Sequence, residues 1–445
     1  MPEAHDPKRE PEKRRFITEK IVKRPLTRGE LFRRGLLLLL AAALFGGVAG
    51  VSFAVSQPLM ARRLGEAETE ESKISIPKDE LLESTSESET PEETVAQRET
   101  EAAAAPEGES VEKVVRNAMD NYRYTVGDLN ELFSSLRLQV QAVSKGIVVL
   151  HSVQQEVDWF DNPVETTGLY AGVVIASTAQ EFLILTPEAA VQRADSIKVM
   201  FADGTEVDGR IKQQDTISGM AVVSVDVGTL EESTKKDVLP LVLGNSYLVR
   251  EGDLIVAVGS PSGMARSVDY GFVSYVDKNV QMVDQITRMF YTRISADAWK
   301  GTFLVNTSGE LIGWVMPPDL DAENSNMAMV MGISDYKGIL ENLTNGLAAP
   351  CFGIEGQEVS ESMAAQGLPN GIYVLNSVTE RPAYNAGIQN GDIITHIDGR
   401  EIMTMKDFQN TVDNLECGRL IHVVVQRNGR DQYAELEFQV TVGAR

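Results

Sequence analysis

From Lys145 onward the sequence breaks into short β-branched runs: GIVVLHSV, AGVVIAS, EFLILT, SIKVMF, MAVVSV, DLIVAVG, FVSYV and TFLVN. Gly, Asp, Asn and Pro separate them. Runs of this length, each bounded by turn formers, specify an all-β barrel or sandwich. The stretch from about 145 to 340 is long enough for a double barrel. After Gly346-Leu347-Ala348-Ala349-Pro350 a second strand-rich unit runs to residue 445. The fold class expected is therefore mainly β.

The upstream segments follow other rules. Within 111–143, Leu129, Leu132, Leu136, Val140 and Val143 recur at helical spacing, with Asp128 as candidate N-cap and Glu131 three residues on. This helix either packs on the following domain or forms a short coiled coil. Residues 58–110 are rich in Glu, Ser, Thr and Ala and hold too little apolar surface to offset the entropy of ordering. They read as an acidic, disordered tether extended by like-charge repulsion.

Farther upstream, Leu36–Val55 is apolar and no charge occurs from Gly35 to Ala61. About 20 such residues cross a ~30 Å hydrocarbon core as a helix. Lys23, Arg24, Arg28, Arg33 and Arg34 precede the run, and only Arg62 and Arg63 follow closely. The positive-inside rule places the basic segment 1–34 in the cytoplasm, the transmembrane helix at 35–57 and the rest outside the membrane. A cleaved signal peptide is the rival reading, disfavoured by the long basic leader. Ala42, Gly46 and Gly50, four apart, offer a face for close helix approach.

Composition excludes several functions. The net charge is −24, whereas nucleic-acid binding needs clustered Lys and Arg. Two cysteines, Cys351 and Cys417, make neither a Cys-x-x-Cys zinc site nor a disulfide framework, and leave a single bridge open. Four histidines (His5, His151, His396, His422) limit metal and general-base chemistry alike. No metal and no cofactor is expected.

The segment 371–402, GIYVLNSVTERPAYNAGIQNGDIITHIDGREI, carries Pro382-Ala383, Ala386-Gly387-Ile388, Gly391-Asp392-Ile393-Ile394 and Ile397-Asp398-Gly399 in order. It closely resembles the PDZ domains of bacterial HtrA/Deg proteases, and places an α+β PDZ domain at 350–445. The resemblance implies a carboxylate-binding loop at Cys351-Phe352-Gly353-Ile354, where consecutive N–H groups hold a peptide's terminal carboxylate. It also implies a groove helix at Met405–Leu415. Phe352, Ile354, Phe408 and Val412 would line an apolar pocket, with Gly353 in the loop. The alternative for these side chains is a place in the core.

Upstream, SIKVMFADGTEVDGRIKQQD (196–215), LPLVLGNSYLVREGDLIVAVGSPSGMARSVDYGFVS (239–274) and FLVNTSGELIGWV (303–315) are similar to the same family's trypsin-like protease domain. A chymotrypsin-like double β-barrel with its helical lead-in is thus expected over 111–345. Its chemistry requires Ser, His and Asp together. Here the family's His position falls on Ala189 (LTPEAAV), its Asp position on Gly219 (SGMAV) and its nucleophile position on Lys300 (AWKGTFLVN). The loop before Lys300 is also shortened, which undermines the backbone oxyanion hole.

These expectations lead to a membrane-anchored HtrA/Deg-like protein without protease activity. It would bind extended peptides or C-termini of exported proteins in envelope quality control, as a homo-trimer or mixed with active relatives. The alternatives are an active serine endopeptidase whose catalytic residues lie elsewhere, and a structural envelope protein with an idle groove.

Overall fold

The computed structural model describes residues 73–80, 123–157, 163–317, 327–429 and 432–445. The expected transmembrane segment 35–57 lies outside the described residues, as does the basic segment 1–34. Among the described residues no helix is long and apolar enough to cross a membrane.

Helix α1 (Val126–Val143) leads in. Its N-cap is Thr125, not Asp128: Asp128 is the third helical residue and completes a capping box with Thr125. Only the C-terminal end of α1 packs on the barrels, through Val140 and Val143. Leu129, Leu132, Phe133 and Leu138 are each more than half exposed.

Two closed six-stranded barrels follow. The first contains β1 (Ile147–Val157), β2 (Pro163–Ser177), β3 (Glu181–Pro187), β4 (Ser196–Met200), β5 (Glu206–Asp215) and β6 (Met220–Asp226). The second contains β7 (Leu254–Gly259), β8 (Ser267–Met282), β9 (Gln285–Thr292), β10 (Thr302–Val305), β11 (Leu311–Val315) and β12 (Ala328–Gly332). Strand side chains alternate in direction, and β3 shows why its run is apolar throughout. Phe182 and Ile184 fill the first barrel with Val148, Val199 and Val223. Leu183 and Leu185 face the other way, into a core shared with Val256, Phe303 and Trp314 of the second barrel. The interior of that second barrel holds Ile255, Phe290, Leu304 and Ile312.

Helix α2 (Lys337–Thr344) follows the second barrel, lies against β5 and β6 of the first, and buries Ile339, Leu340 and Leu343 in the core shared by the two. The C-terminal unit is a sheet of order β14 (Ile354–Glu358), β15 (Ile372–Ser377), β16 (Ile393–Ile397), β18 (Leu420–Asn428) and β19 (Tyr433–Thr441), with β17 (Arg400–Glu401) pairing β16. Helices α3 (Pro382–Ala386) and α4 (Met405–Asp413) cover it. A two-stranded ladder of β13 (Pro350–Cys351) with β20 (Gly443–Ala444) joins the start of this unit to its end. Helix α4 is held by a second capping box, Thr404 with Asp407.

Of the tether expected over 58–110, only 73–80 lies within the described residues, and there it is ordered. Residues 73–80 run as an extended strap against α2. The Asn345 side chain accepts from Ile74 N–H at 2.9 Å and donates to Ile74 C=O at 2.8 Å. Ile76 is 8% exposed, and its N–H donates to Glu341. Asp79 accepts from Ser334 Oγ at 2.5 Å and Lys337 Nζ at 2.9 Å. Two isoleucines at alternate positions and one acid opposite a buried lysine are enough to order this piece within a polar stretch. Cys351 and Cys417 are both free thiols, so the bridge left open by sequence does not form.

Candidate functional site

Two places bring together the residues singled out from the sequence. The first is the cleft between the barrels. The short helical turn Glu188–Ala190 follows β3, and the turn at Gly219 precedes β6. Glu188 N–H donates to Gly219 C=O at 2.8 Å, which sets Ala189 beside Gly219 as the sequence pattern requires. Both line a cavity of about 160 Å³ together with Trp299, Gly301 and Trp314. Positions 189 and 219 therefore share one cleft, and Trp299 and Gly301, the neighbours of Lys300, line it while Lys300 itself does not.

Ala189 and Gly219 carry no titratable group. Lys300 is exposed and turns its Nζ away, donating to Gly263 C=O at 3.1 Å. Its C=O accepts from Ala171 N–H at 2.7 Å, and its N–H donates to Asp297 Oδ1 at 3.0 Å. An oxyanion hole needs free N–H groups pointing into the cleft, and this one is spent within its own turn. Gly301 has φ +91°, and a Cβ there would meet Ala171 C=O at 2.7 Å, so the loop is pinned against β2. None of the three described histidines lines the cleft. His151 on β1 contacts Glu206, His396 contacts Thr395 and His422 contacts Glu437. Sequence reasoning missed Glu188 and Trp299. Burial, with Asp215 nearby, raises the Glu188 carboxyl above its usual range. Trp299, 62% exposed, is the large apolar group on the rim.

The second place is the loop Cys351–Ile354. Gly353 adopts φ +95°, and a Cβ would lie 2.3 Å from Arg381 Cβ; only glycine lets the loop curl so tightly. The curl points three consecutive N–H groups inward, as expected for a carboxylate cradle. They are occupied. Asp284, in the two-residue turn between β8 and β9, accepts from Phe352 N–H at 2.8 Å, from Gly353 N–H at 2.8 and 3.0 Å, and from Ile354 N–H at 3.0 Å. Asp284 N–H in turn donates to Ile354 C=O at 2.7 Å.

The pocket residues read from sequence do come together. Phe352, Ile354 and Phe408 are fully buried and Val412 is 2% exposed. The Phe352 and Phe408 rings pack edge to face with centroids 5.5 Å apart, and Ile286 of β9 packs on the same cluster. The open apolar pocket expected from sequence is thus closed in this conformation. The Phe352–Phe408 contact and Ile286 of β9 fill the space between these residues.

Comparison with known proteins agrees with these geometries. Residues 171–313 match the model of the trypsin-like peptidase domain, and residues 350–438 match the PDZ domain. The chain is a trypsin-like peptidase domain joined to a PDZ domain. This is the HtrA/Deg arrangement. The chain is similar to the serine protease Do-like HtrA of Bacillus subtilis, 25% identical over 292 residues, covering 61% of this chain and 64% of that protein. It is also similar to the periplasmic serine endoprotease DegP of Salmonella typhimurium, 26% identical over 281 residues, covering 61% of this chain and 57% of that protein. The chain thus spans less than two thirds of the length of either relative. Among solved structures, the HtrA-type protease AlgW with a decapeptide shares the fold, with a TM-score of 0.51 and 20% identity over 70% of this chain and 98% of that one.

Proposed function

We propose that this trypsin-like–PDZ chain is a membrane-anchored, non-hydrolytic adaptor. Its PDZ domain takes extended peptides or C-termini of exported proteins, and it serves protein quality control at the cell envelope. One observation carries the reading: the cleft is lined by Ala189 and Gly219 and by no histidine among the described residues, while the Lys300 N–H beside it is bound to Asp297. Acyl transfer depends on the triad acting as a unit, and its loss costs several orders of magnitude in rate. The apolar run Leu36–Val55 and its flanking basic residues support the anchor. The HtrA/Deg likeness supports assembly as a homo-trimer or with active relatives.

A fluorophosphonate probe tests the inactive cleft on the full-length chain. No labelling is expected. Stoichiometric labelling abolished by Ser218→Ala would establish an active endopeptidase, since Ser218 is the serine among the described residues lining the cleft. Extraction of the membrane fraction at alkaline pH tests the anchor, and release of the chain into the supernatant would refute it.

A further inference from the structure

The cradle at Phe352–Ile354 is filled by a side chain of the protein itself, and the details match those of a bound peptide. The contact joins residues 68 to 70 positions apart and links the second barrel to the PDZ domain. A peptide captured by such a groove lies antiparallel to the neighbouring strand and ends its carboxylate on the loop. The β8–β9 hairpin sets a carboxylate on the loop and touches β14 at two points in the antiparallel sense, without forming a ladder with it. Asp284 pairs with Ile354 through its main chain, and Gln281 Nε2 donates to Gln357 Oε1 at 3.3 Å. Position 281 thus faces 357 while 284 faces 354, which is the antiparallel sense. The carboxylate receives four contacts from three N–H groups and is 3% exposed.

Backbone conformation points the same way. Asp284 adopts φ +65°, one of four non-glycine residues with positive φ among the described residues. Glycine is the residue that takes this region freely in a two-residue hairpin turn, and Asp does so at a cost. An outlier of this kind persists where surrounding contacts determine it. Here the loop N–H groups are those contacts.

We propose that the β8–β9 hairpin is the PDZ domain's own ligand, with Asp284 in the seat of a peptide's terminal carboxylate. An incoming C-terminus binds only by displacing it. The proposal rests on the reading that the PDZ domain captures peptide carboxylates, and assigns that site its regulation. A tethered competitor lowers apparent affinity by the fraction of molecules in which the groove is open. A groove open a tenth of the time binds about tenfold more weakly than one held open.

The test uses the full-length chain, Asp284→Gly and Asp284→Asn. Glycine keeps the turn and removes the carboxylate. Asparagine keeps size and turn but leaves one acceptor oxygen. The probe is the fluorescein-labelled peptide Lys-Asn-Val-Gln-Met-Val, the sequence of residues 278–283 with a free carboxylate, alongside its C-terminal amide. Fluorescence anisotropy should show the free acid binding Asp284→Gly at least tenfold more tightly than wild type, Asp284→Asn falling between, and the amide binding none. Hydrogen exchange at Phe352, Gly353 and Ile354 should quicken at least tenfold in Asp284→Gly. Equal affinity of the free acid for wild type and both variants would overturn the internal ligand while leaving peptide capture standing. Unchanged exchange at the three amides would overturn it as well. Faster exchange without peptide binding by any chain would overturn peptide capture, and displacement with it.

Discussion

Arg445 and Asp215 form an ion pair inside the junction between the first barrel and the PDZ domain. Nε lies 3.3 Å from both carboxylate oxygens, and the two side chains are 4% and 0% exposed. Asp215 also accepts the N–H groups of Ile217 and Ser218, the turn that leads to Gly219. Arg445 N–H donates to Ala349 C=O, beside the β13–β20 ladder. A chain of direct contacts therefore runs from the PDZ loop to the interbarrel cleft.

Removing one partner of that pair leaves a buried charge unmatched, which costs about 3–5 kcal/mol, whereas replacing both with apolar groups is often neutral. Arg445→Met should lower the urea midpoint strongly, and the double variant Arg445→Met/Asp215→Leu should recover much of it. Equal losses in the single and double variants would contradict this account of the junction.

Cysteine chemistry should separate the two thiols. Burial, with Asp284 close by, pushes the Cys351 thiol far above its ordinary range, while Cys417 is exposed. Only thiolates react readily. Ellman's reagent at pH 8 should titrate one thiol in the native protein and two in denaturant. Two fast thiols in the native state would contradict the burial of Cys351.

The stability of the chain should fall with rising pH. Burial raises the carboxyls of Asp284, Asp335 and Asp413. Each binds its proton more tightly in the folded state. Their contribution is full below the unfolded value of about 3.9 and is lost as pH climbs through the raised values. Asp203 and Asp407, lowered chiefly by hydrogen bonds from Thr234 and Thr404, work in the opposite sense but only below about pH 4. Scanning calorimetry from pH 4 to 8 should show a falling Tm; a rise across that window would refute the assignment.

On the proposed function, placing a serine at position 300 should not create hydrolysis. In Lys300→Ser the new hydroxyl has no histidine in the cleft to take its proton, and the backbone N–H at 300 stays on Asp297. Peptide hydrolysis should remain below detection, and fluorophosphonate labelling should be absent. Measurable turnover by this single variant would mean that the cleft supplies a base no distance here reveals.

Local patterns in the sequence carried the architecture. EFLILT reads as a strand between two cores because both faces of β3 are buried, and the turns that carry Ala189 and Gly219 are joined by the Glu188 N–H to Gly219 C=O bond. The features missed depend on distant partners. Nothing near Val283-Asp284 announces that the carboxylate meets a loop some 70 residues on. The one local sign is Asp where a hairpin turn favours glycine. The strap at 73–80 was hidden for a related reason: its order comes from Glu341, Asn345 and Lys337, not from its own composition. Thr125 was passed over as a cap because Asp128 matched the same box pattern three residues later.

The strap grips both sides of one joint. It bonds α2 through Asn345, Glu341 and Lys337, and reaches the PDZ helix α4 through Lys78 to Asp413 at 3.5 Å. Tension applied to the chain ahead of Lys73 would load these bonds in parallel before it reached a barrel strand. The strap is then a strain relief for the barrels: a tug from the N-terminal side is met at the seam between the domains, and through Asp413 it is also felt by the groove helix.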